Sequence, residues 1–210
     1  MKIDLYAADG KKKGDITVKT EMFAANINVD LMHRAVLMRL ANARTPIAHT
    51  KTRGEVACST KKVQRQKGTG NARRGARSTN LLRGGGVTHG PRNDVNYSKM
   101  MPKKERRAAL FSALSAKAKA KAVFALETPK LDKPSTKTLA ALVSQLPQGK
   151  KLLFVVETGQ DTFSQSARNL PGVNLVRADY LNPYDILMAD QLCFLSTSLP
   201  VAESTYLSAQ

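Results

Sequence analysis

The residues of this chain best suited to binding chemistry are the lysines, arginines and glycines between Arg44 and Lys104. This stretch holds 15 of the 34 Lys and Arg residues, against two acidic residues, Glu55 and Asp94. Lys and Arg neutralise phosphates and release their counterions, and glycine allows the backbone to approach a polyanion closely. An internal block of one charge sign repels itself unless a counter-charge is bound. The sequence therefore predicts a segment that binds nucleic acid.

RNA is the favoured ligand of this segment. Charge doublets, Lys61-Lys62 and Arg73-Arg74, project to both sides of an extended chain. A folded RNA offers crevices that surround such a chain, whereas a DNA duplex presents one surface at a time. The predicted RNA contacts are the basic side chains Arg44, Lys51, Arg53, Lys61, Lys62, Arg65, Lys67, Arg73, Arg74, Arg77, Arg83, Arg92, Lys103 and Lys104.

Catalytic, cofactor and metal sites are not predicted. The turns after the apolar runs that read as strands contain neither G-x-G-x-x-G nor the G-x-x-x-x-G-K-[ST] of a phosphate-binding loop, and no G-x-S-x-G presents a serine. His33, His49 and His89 lie far apart without ligand spacing. Cys58 and Cys193 form no C-x-x-C pair.

The composition also argues against a membrane partner. A net charge of +18 points to phosphates or to an anionic surface, but no apolar run reaches the ~18 residues of a spanning helix. The basic block lacks the aromatic and leucine stripe of an interfacial helix. The first ten residues include Asp4 and Asp9 and no apolar run, so we expect a cytoplasmic protein.

The elements around the basic segment predict a body that holds its two ends. Strands are expected at residues 2–6 and 15–19, joined by a hairpin turn. A helix is expected from Asn28 to about Ala43, with a buried face of Val29, Met32, Val36 and Leu40, widened by Leu37. A second helix is expected from Pro102 to about Ala122, burying Leu110, Phe111 and Leu114.

The remaining sequence alternates short apolar runs with helical segments. Strands are predicted at 122–126, 152–156, 173–176 and 191–195, helices at 135–146, 162–169 and 200–207, and a turn at 182–187. Continuous apolar strands alternating with helices are typical of a parallel sheet that is covered on both faces. The predicted fold class is α/β, with a mostly parallel sheet flanked by helices and a long extended basic loop. We expect residues 1–43 and 101–210 to form the globular domain and residues 44–100 to form the loop inserted between two helices.

Several motifs of this chain resemble bacterial members of the family of universal large-subunit ribosomal protein four. They are K-T-R-G-E-V at 51–56, Lys61-Lys62, R-Q-K-G-T-G at 65–70, Ala72-Arg73, R-G-G-G-V at 83–87, A-R-N-L at 167–170 and N-P-Y-D at 182–185. The spacing of R-Q-K-G-T-G and R-G-G-G is the most specific part of the resemblance, which covers most of the chain. The chain departs from many relatives at Val63-Gln64 and at Leu82, where those relatives have Pro-Trp and an aromatic residue.

The resemblance implies a structural, non-enzymatic constituent of the large ribosomal subunit. Its partners would be ribosomal RNA, neighbouring large-subunit proteins and its own leader messenger RNA, and no cofactor is implied. The body would lie on the outer side of the subunit, and the protein would act early in assembly. The tip of the loop would help to line the peptide exit tunnel through Arg65, Gln66, Lys67, Gly68, Thr69 and Gly70.

Two alternatives stay open at this point. One is an RNA-modifying enzyme whose α/β domain is catalytic and whose basic loop grips the substrate. The other is a regulator that binds leader RNA away from the ribosome.

Overall fold

The computed structural model describes residues 1–129, 133–147 and 149–207. Its strands are β1 (Lys2–Tyr6), β2 (Lys12–Thr17), β3 (Val123–Leu126), β4 (Leu152–Val156), β5 (Val173–Arg177) and β6 (Gln191–Leu195). Its α-helices are α1 (Thr20–Phe23), α2 (Val29–Ala43), α3 (Lys103–Lys119), α4 (Thr136–Gln145), α5 (Asp161–Ala167), α6 (Pro183–Met188) and α7 (Ser198–Leu207), with a 3₁₀ turn at Ala178–Tyr180.

The chain divides into two compact units. The first, called here the body, consists of Met1–Leu40 and Met100–Gln210. The second, called the basic unit, consists of Ala41–Lys99. All strands in the described part of the chain belong to the body.

A six-stranded sheet organises the body, in the order β2-β1-β3-β6-β4-β5. The β1–β2 pair is antiparallel, and every other neighbouring pair is parallel. The predicted α/β class and mostly parallel sheet are confirmed. All residues of β3 and β4 are buried, because helices cover both faces of these strands.

Successive side chains of a strand point to opposite faces of the sheet, so the body has an apolar layer on each face. Leu153 and Val155 of β4 face the layer that includes residues of α1, α3, α6 and α7. Phe154, one position away, faces the layer that includes residues of α4 and α5. The Phe154 ring packs edge to face against Phe163 of α5, with the ring centroids 5.3 Å apart. The body therefore has the apolar core that orders it without a ligand.

Helix caps explain where two helices begin. The Ser135 side chain accepts a hydrogen bond from the backbone of Thr138 at the start of α4. The Asn182 side chain accepts from the backbone of Asp185, and Pro183 occupies the first turn of α6. The segment predicted as a turn at 182–187 is thus a short capped helix.

One prediction about the N-terminal part was wrong, and one element was not predicted. The second strand begins at Lys12 rather than at residue 15, because a shift of register after Leu5 lets Tyr6 pair with Lys12. The next segment folds as the short helix α1, which buries Met22 and Phe23 and was not predicted.

The predicted buried face of α2 was also wrong in part. The helix buries Met32 and Ala35, whereas Val29 is 68% exposed and Leu40 is 48% exposed. Leu37 is exposed as well. An apolar stripe shows which face of a helix is suited to packing, but burial also requires an element opposite that face. Only the part of α2 around Met32 and Ala35 meets such a partner in the body.

In α3 the predicted face is largely confirmed. Leu110 and Leu114 are buried, and Phe111 packs half-buried against the same layer. The helix ends at Lys119, three residues earlier than predicted, and Lys121 then adopts a positive φ of 54°.

We expect Phe154→Ala to lower the free energy of unfolding of the body by about 3–5 kcal/mol, because truncating a fully buried ring leaves a cavity between β4 and α5. Urea unfolding followed by far-ultraviolet circular dichroism measures the change. Leu37→Ala, at a side chain that is 43% exposed, is the control and should cost less than about 1 kcal/mol. Equal losses in the two variants would contradict this description of the core.

Candidate nucleic-acid interface

The basic unit has no apolar core in its described residues. Only Ser78 and Gly86 are buried. Its larger apolar side chains face solvent, with exposed fractions of 83% for Ile47, 52% for Val63 and 95% for Leu81. Its shape is defined instead by contacts between two arms, residues 41–64 (the first arm) and residues 72–99 (the second arm).

The ends of the two arms are joined by polar and aromatic contacts. The Asn42 side chain donates a hydrogen bond to the carbonyl of Lys99 (3.1 Å) and accepts one from its backbone N–H (2.8 Å). The Arg44 guanidinium lies 4.0 Å from the centre of the Tyr97 ring. These contacts bring the ends of a 59-residue unit together.

Backbone hydrogen bonds continue the pairing along the arms. The N–H of Thr50 donates to the carbonyl of Pro91 (3.0 Å), and the N–H of Val87 donates to the carbonyl of Lys51 (2.9 Å). A Cβ on Gly86 would lie 2.2 Å from a backbone nitrogen of the first arm. A side chain at position 86 would therefore force the arms apart.

An ion pair between Glu55 and Arg92 crosses from one arm to the other. The guanidinium donates to both carboxylate oxygens at 2.8 and 2.9 Å, and to the carbonyl of Thr50 at 3.2 Å. The backbone N–H of Thr52 also donates to Glu55 (2.8 Å). The hydrogen bonds from Arg92, followed by the one from Thr52, lower the pKa of Glu55 to about 2.

The two arms meet in a hairpin turn. The N–H of Val63 donates to the carbonyl of Gly75 (3.1 Å). One residue further on, the Gln64 side chain donates to the carbonyl of Ala72 (2.6 Å). Residues 65–71 lie between these contacts and form the turn.

The motif glycines have separate conformational roles. Gly68, Gly70 and Gly84 adopt positive φ values of 81°, 69° and 79°, which side chains disfavour. A Cβ on Gly85 would lie 1.9 Å from the carbonyl oxygen of Thr79. The backbone geometry of two turns therefore requires the glycines of the R-Q-K-G-T-G and R-G-G-G motifs.

Three predicted RNA contacts converge on one open cavity in the basic unit. Lys62, Arg73 and Arg74 line a cavity of about 340 Å³ together with Thr60 and Gln66. The Lys62 ammonium donates to the Gln66 side chain. Three cations around an open polar space are suited to bind phosphate oxygens.

The other predicted contacts fall into three groups. Arg92 is held by Glu55, and Arg44 lies against Tyr97, so both have partners inside the basic unit. Lys103 and Lys104 are exposed in the first turn of α3, in the body. The remaining predicted contacts are exposed in the basic unit, and they are Lys51, Arg53, Lys61, Arg65, Lys67, Arg77 and Arg83.

The residues that align the arms were not predicted from the sequence. In the sequence, Glu55 stands out only as one of two acidic residues in a basic block, and Asn42 belongs to none of the motifs. The contacts of these residues join positions 37 and 57 residues apart, and no periodicity marks such pairs. The K-T-R-G-E-V motif contains Glu55 and is the one sequence feature that could have identified it as a functional residue.

The described residues show neither a metal-ligand cluster nor a membrane-spanning helix. They contain no group of three or more His, Cys, Asp or Glu residues arranged to hold a metal ion. Within residues 1–129, 133–147 and 149–207, no helix has the length and apolar character needed to cross a bilayer.

Comparison with known proteins gives the same family along nearly the whole chain. A profile described as "Ribosomal protein L4/L1 family" matches residues 16–203. A relative named large ribosomal subunit protein uL4 from Thermoanaerobacter sp. (strain X514) is 40% identical over 205 residues, covering 98% of each chain. Its namesake from Mycobacterium leprae (strain Br4923) is 41% identical over 210 residues, covering all of this chain and 89% of the relative.

We expect the Glu55 carboxylate to remain ionised down to about pH 2. Its pKa in the folded chain lies below the ordinary value of 4.5, so its ion pair with Arg92 is fully present above about pH 4.5 and is lost as the pH falls through 2. Carbon-13 NMR of the carboxyl group measures the midpoint.

Two variants test the cause of this low pKa. Arg92→Gln should return the midpoint toward 4.5, because it removes the largest cause of the shift. Asp94→Asn should leave the midpoint low, because Asp94 lies 4.0 Å from Arg92 and is not a cause of the Glu55 shift. An ordinary midpoint in the parent chain would show that the arms are not closed at Glu55.

Proposed function

The chain belongs to the ribosomal protein L4/L1 family, and from this membership we propose that it is a structural constituent of the large ribosomal subunit that binds ribosomal RNA. The family is structural rather than enzymatic, and it belongs to cytoplasmic ribosomes. Its partners are ribosomal RNA and neighbouring ribosomal proteins. The comparisons support neither an RNA-modifying enzyme nor a regulator that acts only away from the ribosome.

The observation that carries this proposal is the excess of positive charge on the basic unit. The unit contains 13 Lys and Arg residues and two acidic residues. Both carboxylates lie within 4.0 Å of one guanidinium, that of Arg92. Most of the other cations are exposed, so the unit presents a one-sign surface to its surroundings. A polyanion supplies the missing counter-charge and the contacts that an apolar core supplies in the body.

Within this surface, the cavity of Lys62, Arg73 and Arg74 is the main phosphate site. Its cations sit on both arms close to the hairpin turn. An RNA strand at this place contacts both arms at once, and its phosphates offset the repulsion between the arms. Lys51, Arg53, Arg77 and Arg83 add exposed charges along the arms.

Residues 65–70 of the hairpin turn are the part of the loop that reaches the peptide exit tunnel. This assignment rests on the resemblance of R-Q-K-G-T-G and is supported by the position of these residues between the last cross-arm contacts. Arg65 and Lys67 are exposed there. The same loop acts in early assembly, because it binds RNA segments that fold around it.

A second RNA ligand is the chain's own leader messenger RNA. The proposal follows from the family resemblance and from a charged surface that is suited to contact phosphates rather than base edges. Competition between ribosomal RNA fragments and the leader RNA for the free protein tests it, and simultaneous binding of both would oppose it.

Sedimentation of a cell lysate tests the ribosomal assignment. The chain should co-migrate with large subunits through a sucrose gradient and stay with them after a high-salt wash, because contacts made by an enclosed loop are released slowly. A protein that binds only the outer surface by charge should be removed by salt. Recovery outside the large-subunit fractions would contradict the proposal.

Substitutions at the turn and on the arms separate the proposed tunnel role of the turn from the proposed RNA binding of the arms. Lys67→Glu changes one charge at the turn, so large subunits should still form, but their binding of tunnel-directed macrolides should change. Lys119→Glu, the same reversal at an exposed end of α3, is the control and should leave macrolide binding unaltered. Equilibrium drug binding to purified ribosomes measures both. A severe assembly defect from Lys67→Glu with unchanged drug binding would place the tip elsewhere.

Neutralising Arg73, Arg74, Arg77 and Arg83 together should weaken binding of free protein to ribosomal RNA. The slope of log K against log salt should fall by about 0.7–0.9 for each phosphate that the variant no longer neutralises. A salt titration of binding measures this slope, and an unchanged slope would mean that these arginines do not contact phosphates.

A further inference from the structure

The two edges of the sheet differ in their chemistry. At one edge, β2 carries Lys12 and Lys13, which form ion pairs with Asp4 (2.7 Å) and Glu127 (2.6 Å). Charged side chains on an edge strand discourage pairing with another chain. At the other edge, β5 reads V-N-L-V-R and has one charged residue, at its carboxyl end. Only the β5 edge lacks the usual protection.

The register of β5 turns alternate backbone groups to its outer side, where the N–H of Val173 already donates to the carbonyl of Leu170 (3.3 Å). The N–H of Leu152 donates to the carbonyl of Gly172 (2.8 Å), and Leu152 lies opposite Val173. In a parallel pair this register turns the backbone of residues 172, 174 and 176 toward β4 and that of residues 173, 175 and 177 away. No described strand lies on that side. The N–H and carbonyl of Leu175 are therefore available to a further strand.

An apolar cavity lies at the start of the same edge. It has a volume of about 420 Å³ between α4 and the turn that leads into β5. Its apolar lining includes Ala140, Val143, Leu152, Leu170, Pro171 and Val173. Lys150 also lines it and has no ion pair in the described part of the chain. Val173 belongs to both features, so the cavity and the edge form one continuous surface.

We propose that this surface binds an extended peptide of a neighbouring protein, which adds a strand to β5, places an apolar side chain in the cavity and sets an acidic group against Lys150. The surface follows from the body alone, and the identity of the donor as a large-subunit protein rests on the proposed function. Strand addition to an open edge combined with a side-chain pocket is a common mode of peptide recognition.

The chemistry of the surface favours a peptide over RNA. A peptide residue offers an N–H donor and a carbonyl acceptor side by side, which is the pattern that Leu175 requires, whereas the phosphates of an RNA backbone offer acceptors only. The cavity is mostly apolar and has a single cation, unlike the three cations of the phosphate site in the basic unit. Charge complementarity with Lys150 therefore calls for an acidic group beside the apolar side chain.

A photoreactive benzophenone side chain at the exposed position Asn174 tests the proposal in cells. Irradiation before lysis should give an adduct with a peptide segment that contains an apolar residue next to an acidic one, mapped by mass spectrometry. Adducts with RNA alone, or no adduct, would overturn the proposal.

Matched variants link the adduct to the cavity. Ala140→Trp fills the cavity from an exposed position of α4, and the adduct yield should fall about tenfold or more, because a buried apolar side chain loses its site. Ala141→Trp, one residue away and outside the cavity lining, should leave the yield unchanged. Lys150→Glu should reduce the yield, whereas Lys137→Glu on α4 should not. Equal effects of the paired variants would overturn the proposal.

The fraction that contains the adduct separates this inference from the ribosomal assignment. A peptide adduct in large-subunit fractions supports both. A cavity-dependent peptide adduct found elsewhere keeps the strand-addition surface and contradicts the ribosomal assignment.

Discussion

The ion pair between Glu55 and Arg92 is the contact on which the arrangement of the basic unit depends most. It joins residues 37 positions apart in a segment without apolar burial, and it connects to the backbone of both Thr50 and Thr52. Exposed ion pairs contribute little to stability, so its importance lies in geometry. It sets which residues of the two arms face each other. It also pairs one cation of the unit internally.

The body and the basic unit are thus stabilised by different physics. In the body, layers on both faces of the sheet bury rings such as Phe154 and Phe194 completely. In the basic unit, glycine approaches, backbone hydrogen bonds and one ion pair align two arms whose like charges repel. In the proposed RNA complex, bound phosphates would replace that repulsion by attraction, which would make RNA part of the stabilisation of the unit.

The sequence predicted the features that have a local signal. Continuous apolar runs predicted β3, β4 and β6, because strands buried on both faces need apolar residues at nearly every position. The position of β2, by contrast, depends on a register shift, and the face of α2 depends on which element lies opposite. The arms are aligned by pairs such as Asn42 with Lys99, which are fixed only in three dimensions. The proposal that residues 65–70 line the tunnel rests on resemblance, since no physical pattern in those six residues specifies a tunnel.

The departure at Val63-Gln64 has a structural counterpart in the hairpin turn. At position 64 the resemblance leads one to expect an aromatic ring that stacks on a base. Here the Gln64 side chain instead donates a hydrogen bond to the carbonyl of Ala72 across the turn. Base stacking contributes about 1–3 kcal/mol of affinity, and a cross-turn hydrogen bond contributes none of it directly. The hydrogen bond instead limits the conformations of the turn before RNA binds, which lowers the ordering entropy that binding must overcome. In the proposed RNA complex, this hydrogen bond would therefore compensate for part of the contact energy that an aromatic side chain provides.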